Sequence, residues 1–322
     1  MGLFRRRPKL PPTPTIDVTA GDPAGAALLD SLKRQDWRSA HEFLSSVQDP
    51  DDFAHYVNLC TESEGLQSWV DTWVEATPRS TLPVLVKGAH GIVWAWQARG
   101  AGLAKNTSQA QFRMFDLRLK MAEDCLDEVT ERNPDDPTAW AFLITTAMGR
   151  GLDIAERQRR FTEAVRRHPG HLVAHHKFHY AICRKWGGSH ELMHQFADET
   201  AAAAPLGSPL GGLVVSAHLE RWLMLPGDED LAYLRQPHVR TALLDAADRS
   251  VRHPAYRKGP GWPGLHNRFA MALWLAEEHA AAAERFDVLG DLVTEDPWDY
   301  LDSENPALRF AIAREQCFKD RG

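Results

Sequence analysis

The sequence predicts an all-α protein, a right-handed α-solenoid of stacked helical hairpins behind a helical N-terminal part. Three observations carry this prediction. Pro134, Pro169 and Pro205 sit in the turn signals Asn133-Pro134-Asp135-Asp136-Pro137, His168-Pro169-Gly170 and Ala204-Pro205-Leu206-Gly207, and fall 35 and 36 residues apart. That spacing is the period of a helix–turn–helix repeat of tetratricopeptide type, and such a hairpin buries its apolar face only by stacking on its neighbours. Apolar residues recur three and four apart through most of the chain, and no segment alternates with period two for long enough to make a strand.

The elements follow in order. Residues 1–20 read as a disordered basic, proline-rich tail, with Arg5, Arg6, Arg7 and Lys9 ahead of Pro11, Pro12 and Pro14 and no apolar segment behind them. A helical part over 21–107 comes next. Asp22-Pro23 and Asp49-Pro50 each look like an N-cap followed by proline at the first helical position. Leu66, Trp69, Val70 and Trp73 share one helical face after Gly65, and Leu82 to Arg99 forms another helix, in which Gly88 and Gly91 allow close helix contact. Gly100 to Asn106 is a polar loop. The repeats then occupy 108–322.

From Ser108 to Arg132 the strongest helix carries Phe112, Phe115, Leu119, Ala122, Leu126 and Val129 on one stripe. Met114, Leu117, Met121 and Cys125 form a second stripe beside it. A helix apolar on two stripes is expected to be buried on both sides. Trp140, Leu143 and Ala147 pair with Ile154, Phe161 and Ala164 in one hairpin, and His175, Phe178 and Ile182 pair with Met193, Phe196 and Ala197 in the next, with Ser189 capping its second helix. The register slips beyond Pro226, and Gly259 to Gly264 is the least regular segment. The pattern recovers from His266, and Asn305-Pro306 opens the last helix.

The Trp186-Gly187-Gly188-Ser189-His190-Glu191 turn and the stretch from Ala201 to Leu213 resemble an uncharacterised actinobacterial group of helical-repeat proteins. The likeness covers mainly residues 110–300. It implies a tetratricopeptide-like fold and no activity.

Composition narrows the function. A net charge of −7 with a pI near 6.1 gives no electrostatic case for nucleic acid. No apolar run reaches membrane-spanning length, and four scattered cysteines without a CxxC pair fit a cytoplasmic location. His190-Glu191-Leu192-Met193-His194 matches the H-E-x-x-H zinc motif, but no third ligand follows at the usual distance. His171, His175, His179 and Cys183, each four apart, supply imidazole and thiolate on one stripe and are a second candidate metal set. Arg157, Arg159, Arg160, Arg166 and Arg167 interleave with Asp153, Glu156 and Glu163 and read as a solvated face.

Weighed together, these features point to a protein- or peptide-binding scaffold without a cofactor, with a metal-dependent hydrolase as the competing class. The repeat register puts Thr138, Ala141, Thr145, Met148, Val173, His176, Tyr180 and Cys183 on the groove-facing positions.

Overall fold

The computed structural model describes residues 10–100, 107–227 and 229–320. They form sixteen α-helices and no strand. Two compact units divide the chain between Ala204 and Pro205, one spanning 22–204 and the other 205–320 together with 10–21. The expected division at 107/108 does not separate them, and the loop expected over 101–106 lies outside the described residues.

In the unit 22–204, α1 (Pro23–Lys33) and α3 (Pro50–Cys60) start where the Asp-Pro signals put them. The Asp22 carboxylate accepts from the Ala24 amide, and Asp49 accepts from Asp51 and Asp52. α2 (Trp37–Ser46) lies between them. The helix expected from Leu66 is split into a 3-10 turn at Leu66–Ser68 and α4 (Val70–Ala76). Leu28, Leu44, Tyr56, Trp73 and Val86 make this end of the core, where the Trp73 indole donates to His41 Nδ1 at 3.1 Å.

α5 (Leu82–Arg99) and α6 (Gln109–Arg132) form an extended helix pair, and Ser108 with Gln111 closes a capping box at the head of α6. α7 (Pro137–Gly149) packs against α6, α8 (Ile154–Arg167) and α9 (Leu172–Ala181), and α10 (His190–Ala203) lies on α9. Neighbours on several sides explain why α7 is apolar around most of its circumference.

Two of the arginines expected on a solvated face are buried. Arg157 donates to the carbonyl oxygens of Leu152, Ala181 and Trp186 at 2.9, 2.6 and 2.7 Å. It thereby closes chain ends that helix termini leave without partners. Arg160 reaches the buried carboxylate of Glu123 at 2.8 Å. Arg159, Arg166 and Arg167 keep to the surface-type pairing, with Glu156 and Glu163.

The turn between α9 and α10 has one position that admits no side chain. A Cβ at Gly188 would stand 1.8 Å from the Ile182 carbonyl oxygen. Gly188→Ala is therefore expected to cost about 2–4 kcal/mol, read as a lower urea midpoint. A midpoint equal to wild type would contradict this packing.

The second unit holds α11 (Gly212–Trp222), α12 (Glu229–Leu234), α13 (Pro237–Arg249), α14 (Trp262–Leu275), α15 (His279–Leu289) and α16 (Pro306–Asp320). Trp298 is fully buried against Phe286 and Phe310, and its indole donates to Asn267 Oδ1 at 2.8 Å. Residues 10–21 belong to this unit, which corrects the disordered reading for that part of the tail. Asp17 collects the Thr19 amide, the Thr19 hydroxyl and the Gly21 amide, so one carboxylate orders a turn and buries Thr19. Residues 1–9 lie outside the described part.

Candidate functional site

The residues expected to line a groove do not form one. Thr138, Ala141, Met148 and Cys183 are buried, and Ala141 and Met148 belong to the core around Phe161 and Phe178. Thr145, Val173 and His176 are half-buried, and Tyr180 alone is exposed. The register put outward a face of α7 that its packing against both α8 and α9 turns inward.

The histidine stripe is also structural. His171 caps α9: its Nδ1 accepts from the Ala174 amide at 3.1 Å, which places the proton on Nε2. His175 Nδ1 lies 2.9 Å from the His171 carbonyl oxygen and packs edge-on to Phe161. His179 is buried beside Phe196. Burial, and then the neighbouring His168 and His175, push the His171 pKa down to about 3, so the ring is neutral. Around His190 and His194, Glu191 is exposed on the first turn of α10. No group of three His, Cys, Asp or Glu side chains among the described residues is placed to hold a metal ion.

The structure draws attention to the α5–α6 pair instead. Gly88 and Gly91 face α6 closely: a Cβ at Gly88 would meet Leu126 at 2.8 Å, and one at Gly91 would meet Ala122 at 3.0 Å. This approach seats one apolar stripe of α6, Phe115, Leu119, Ala122, Leu126 and Val129, in the core. The other stripe stays outside. Met114 is 42% exposed, Leu117 57% and Met121 46%, which corrects the expectation that α6 is covered on both sides.

At the Met121 end the stripe runs into a cleft of about 100 Å³. α5 contributes Lys87, His90 and Trp94 to its wall; α6 contributes Arg118, Met121 and Cys125; Gln67, Val70 and Asp71 come from the segment before α5. The Arg118 guanidinium lies 3.8 Å above the Trp94 ring and donates to the Trp94 carbonyl oxygen at 2.9 Å. Lys87 pairs with Asp71 at 2.6 Å.

Two buried polar atoms of this cleft make no hydrogen bond among the described residues: His90 Nδ1 and Arg118 Nε. His90 is 3% exposed, and its Nε2 lies 2.9 Å from Gln67 Oε1. That contact puts the proton on Nε2 and leaves Nδ1 as an acceptor, while Arg118 Nε is a donor.

The cleft is suited to binding and not to proton chemistry near neutrality. Burial drives the His90 pKa down to about 4, so the ring carries no charge. Burial also raises the Cys125 pKa, against the pull of Lys87, and keeps the sulfur a thiol. Burial is the largest influence on Lys87 and opposes its charge, but the Asp71 bond and the nearby acidic groups together outweigh it and raise the pKa. None of the three is poised as base or nucleophile.

Sequence reasoning passed over this site. It put Met121 on a buried stripe, although the glycine pair in α5 was a visible sign of close helix approach. The chain matches no protein-family model and no curated protein sequence. Among the described residues no helix is long and apolar enough to cross a membrane.

Proposed function

We propose that the protein is a helical-repeat binding module that captures a peptide or protein segment on the α5–α6 face. In this reading its hairpins continue as a tetratricopeptide-like right-handed solenoid, and it works in the cytoplasm, where its four free cysteines stay reduced. The observation that carries the proposal is the exposed stripe Met114, Leu117 and Met121, leading into a cleft with one uncommitted acceptor and one uncommitted donor.

The chemistry favours a helical segment with apolar anchors three or four residues apart. Such anchors lie along an apolar stripe of matching period, and flexible methionines adapt to their shape. His90 Nδ1 and Arg118 Nε complement the N–H and C=O of an amide. Trp94, flat and half-buried under Arg118, is the rigid wall against which an anchor packs.

The test is selection of helical peptides from a displayed library, followed by affinity measurement on purified protein. Leu117→Asp with Met121→Asp should weaken the selected peptides more than tenfold, about 1.4 kcal/mol. Both side chains are exposed, so the melting temperature should hold. Unchanged affinity in the double variant would refute the proposal.

A further inference from the structure

The other compact unit carries a cluster of basic and aromatic residues of different chemistry. Between Asp248 and Glu277 the chain has no acidic residue, while Arg249, Arg252, Arg257, Lys258 and Arg268 all fall in that run. This is the reverse of the balance of the whole chain. α14 begins at Trp262, which shortens the segment expected to be irregular to Gly259 to Gly261, and the residues before it are held against Gly207: the Gly207 amide donates to the Arg249 carbonyl at 2.7 Å, and a Cβ there would strike Ala255 and Tyr256 at 2.6 Å.

Beneath this segment lies His266, in the second turn of α14. It is 1% exposed, with the Tyr256 ring at 5.5 Å and the Trp262 ring at 5.1 Å. Neither of its ring nitrogens has a hydrogen-bond partner among the described residues. An imidazole always carries at least one N–H, so a buried donor is left over, at a substantial free-energy cost.

Arg285 of α15 adds to it. This guanidinium is 6% exposed, donates to the Val251 carbonyl oxygen and to Glu284 at 3.2 Å each, and leaves its Nε without a partner. Arg285 and Lys258 are both close enough to His266 to reinforce the effect of burial on its titration. Lys258 Nζ stands 3.8 Å above the Trp262 ring, and Arg252 shares the Glu284 carboxylate at 3.0 Å. The N-terminal end of α14 adds its positive field.

We infer that Tyr256, Lys258, Trp262, His266 and Arg285 form a binding site for a small phosphate monoester. The phosphate accepts from His266 and from Arg285 Nε, with Lys258 supplying charge at the rim, and the apolar part of the ester lies against the Tyr256 and Trp262 rings. Donors on several separate side chains suit an oxyanion with three acceptor oxygens better than a planar carboxylate, which a single guanidinium fork would satisfy.

Calorimetric titration of the full-length protein with phenyl phosphate, inorganic phosphate and phenol tests the site. At low salt phenyl phosphate is expected to bind with a Kd of about 1 mM or tighter, ahead of inorganic phosphate, with no heat from phenol. His266→Phe keeps the ring packing and removes both nitrogens. It should weaken phenyl phosphate at least tenfold while the melting temperature stays level or rises. Lys258→Ala, at an exposed position, should weaken it several-fold and separates loss of binding from loss of fold. Absence of binding by wild type, phenol binding as tightly as its phosphate, or equal affinity in both variants would each overturn the assignment.

Discussion

Lowering the pH from about 7 to about 5 is expected to destabilise the protein by roughly 2 kcal/mol for each strongly shifted buried histidine. Three are held this far down: His90 to about 4, His171 to about 3 and His266 to about 3, each chiefly through burial. An unfolded histidine titrates near 6.5. These rings therefore favour folding fully above that value, and the contribution falls away as the pH drops below it and the unfolded chain takes up protons that the native state refuses. The loss levels off only below the folded values. His55 and His175 shift the same way. Carboxyls whose pKa desolvation raises, such as the half-buried Asp136, act in the opposite sense.

His90 and His171 belong to one compact unit, so about 4 kcal/mol is at stake there, a large share of the ~5–15 kcal/mol that holds a domain. Thermal melts across this range measure it. His171→Asn keeps a side-chain acceptor at the cap and removes one titrating ring, and should flatten the acid slope. A melting temperature that stays level between about pH 7 and about pH 5 would contradict the neutral, buried state of these rings.

The second large effect is at Arg160. Its Nη2 meets Glu123 at 2.8 Å, its Nη1 donates to the Leu143 carbonyl and the Thr146 hydroxyl at 2.8 Å each, and its Nε donates to Glu156 at 2.7 Å. Glu123 is 2% exposed and is also held by Arg150. Arg160→Ala takes from a buried carboxylate one of its two cationic partners, and is expected to cost about 3–5 kcal/mol. Lysine should rescue little, because an ammonium cannot reproduce four directed contacts. Glu123→Leu combined with Arg160→Met should cost much less than either change alone, since paired apolar replacements remove the buried charge together. Urea denaturation of the single and double variants reads this coupling. A loss below about 1 kcal/mol for Arg160→Ala would show that the pair is not the clamp its geometry indicates.

Much of the secondary structure was legible because it is written locally. Asp22-Pro23, Asp49-Pro50 and Asp136-Pro137 each place a carboxylate where helix amides need an acceptor, and the helices begin there. Which faces are covered was not legible. The two stripes of α6 have similar apolar content, and the close approach of Gly88 and Gly91 in α5 and of Gly149 in α7 decides that Leu119 is inside and Leu117 outside. The buried role of Arg157 depends on carbonyls at Ala181 and Trp186, distant in sequence, which no charge pattern on α8 can announce. The groove register failed for the same reason, since a repeat period fixes helix spacing and not which side a neighbour occupies. The Asp17 turn is the opposite case. Asp17, Thr19 and Gly21 were a readable local signal, masked by the prolines before them.

The central claim, that the α5–α6 face is the binding surface, is tested most directly by methionine-methyl NMR during titration with a selected helical peptide. The methyl signals of Met114 and Met121, both exposed on the stripe, should shift on binding. Those of Met148, Met193 and Met271, buried in the two cores, should not, nor should that of Met224, which is exposed in the other unit. Shifts confined to Met224, or a bound peptide that leaves Met114 and Met121 unmoved, would contradict the account.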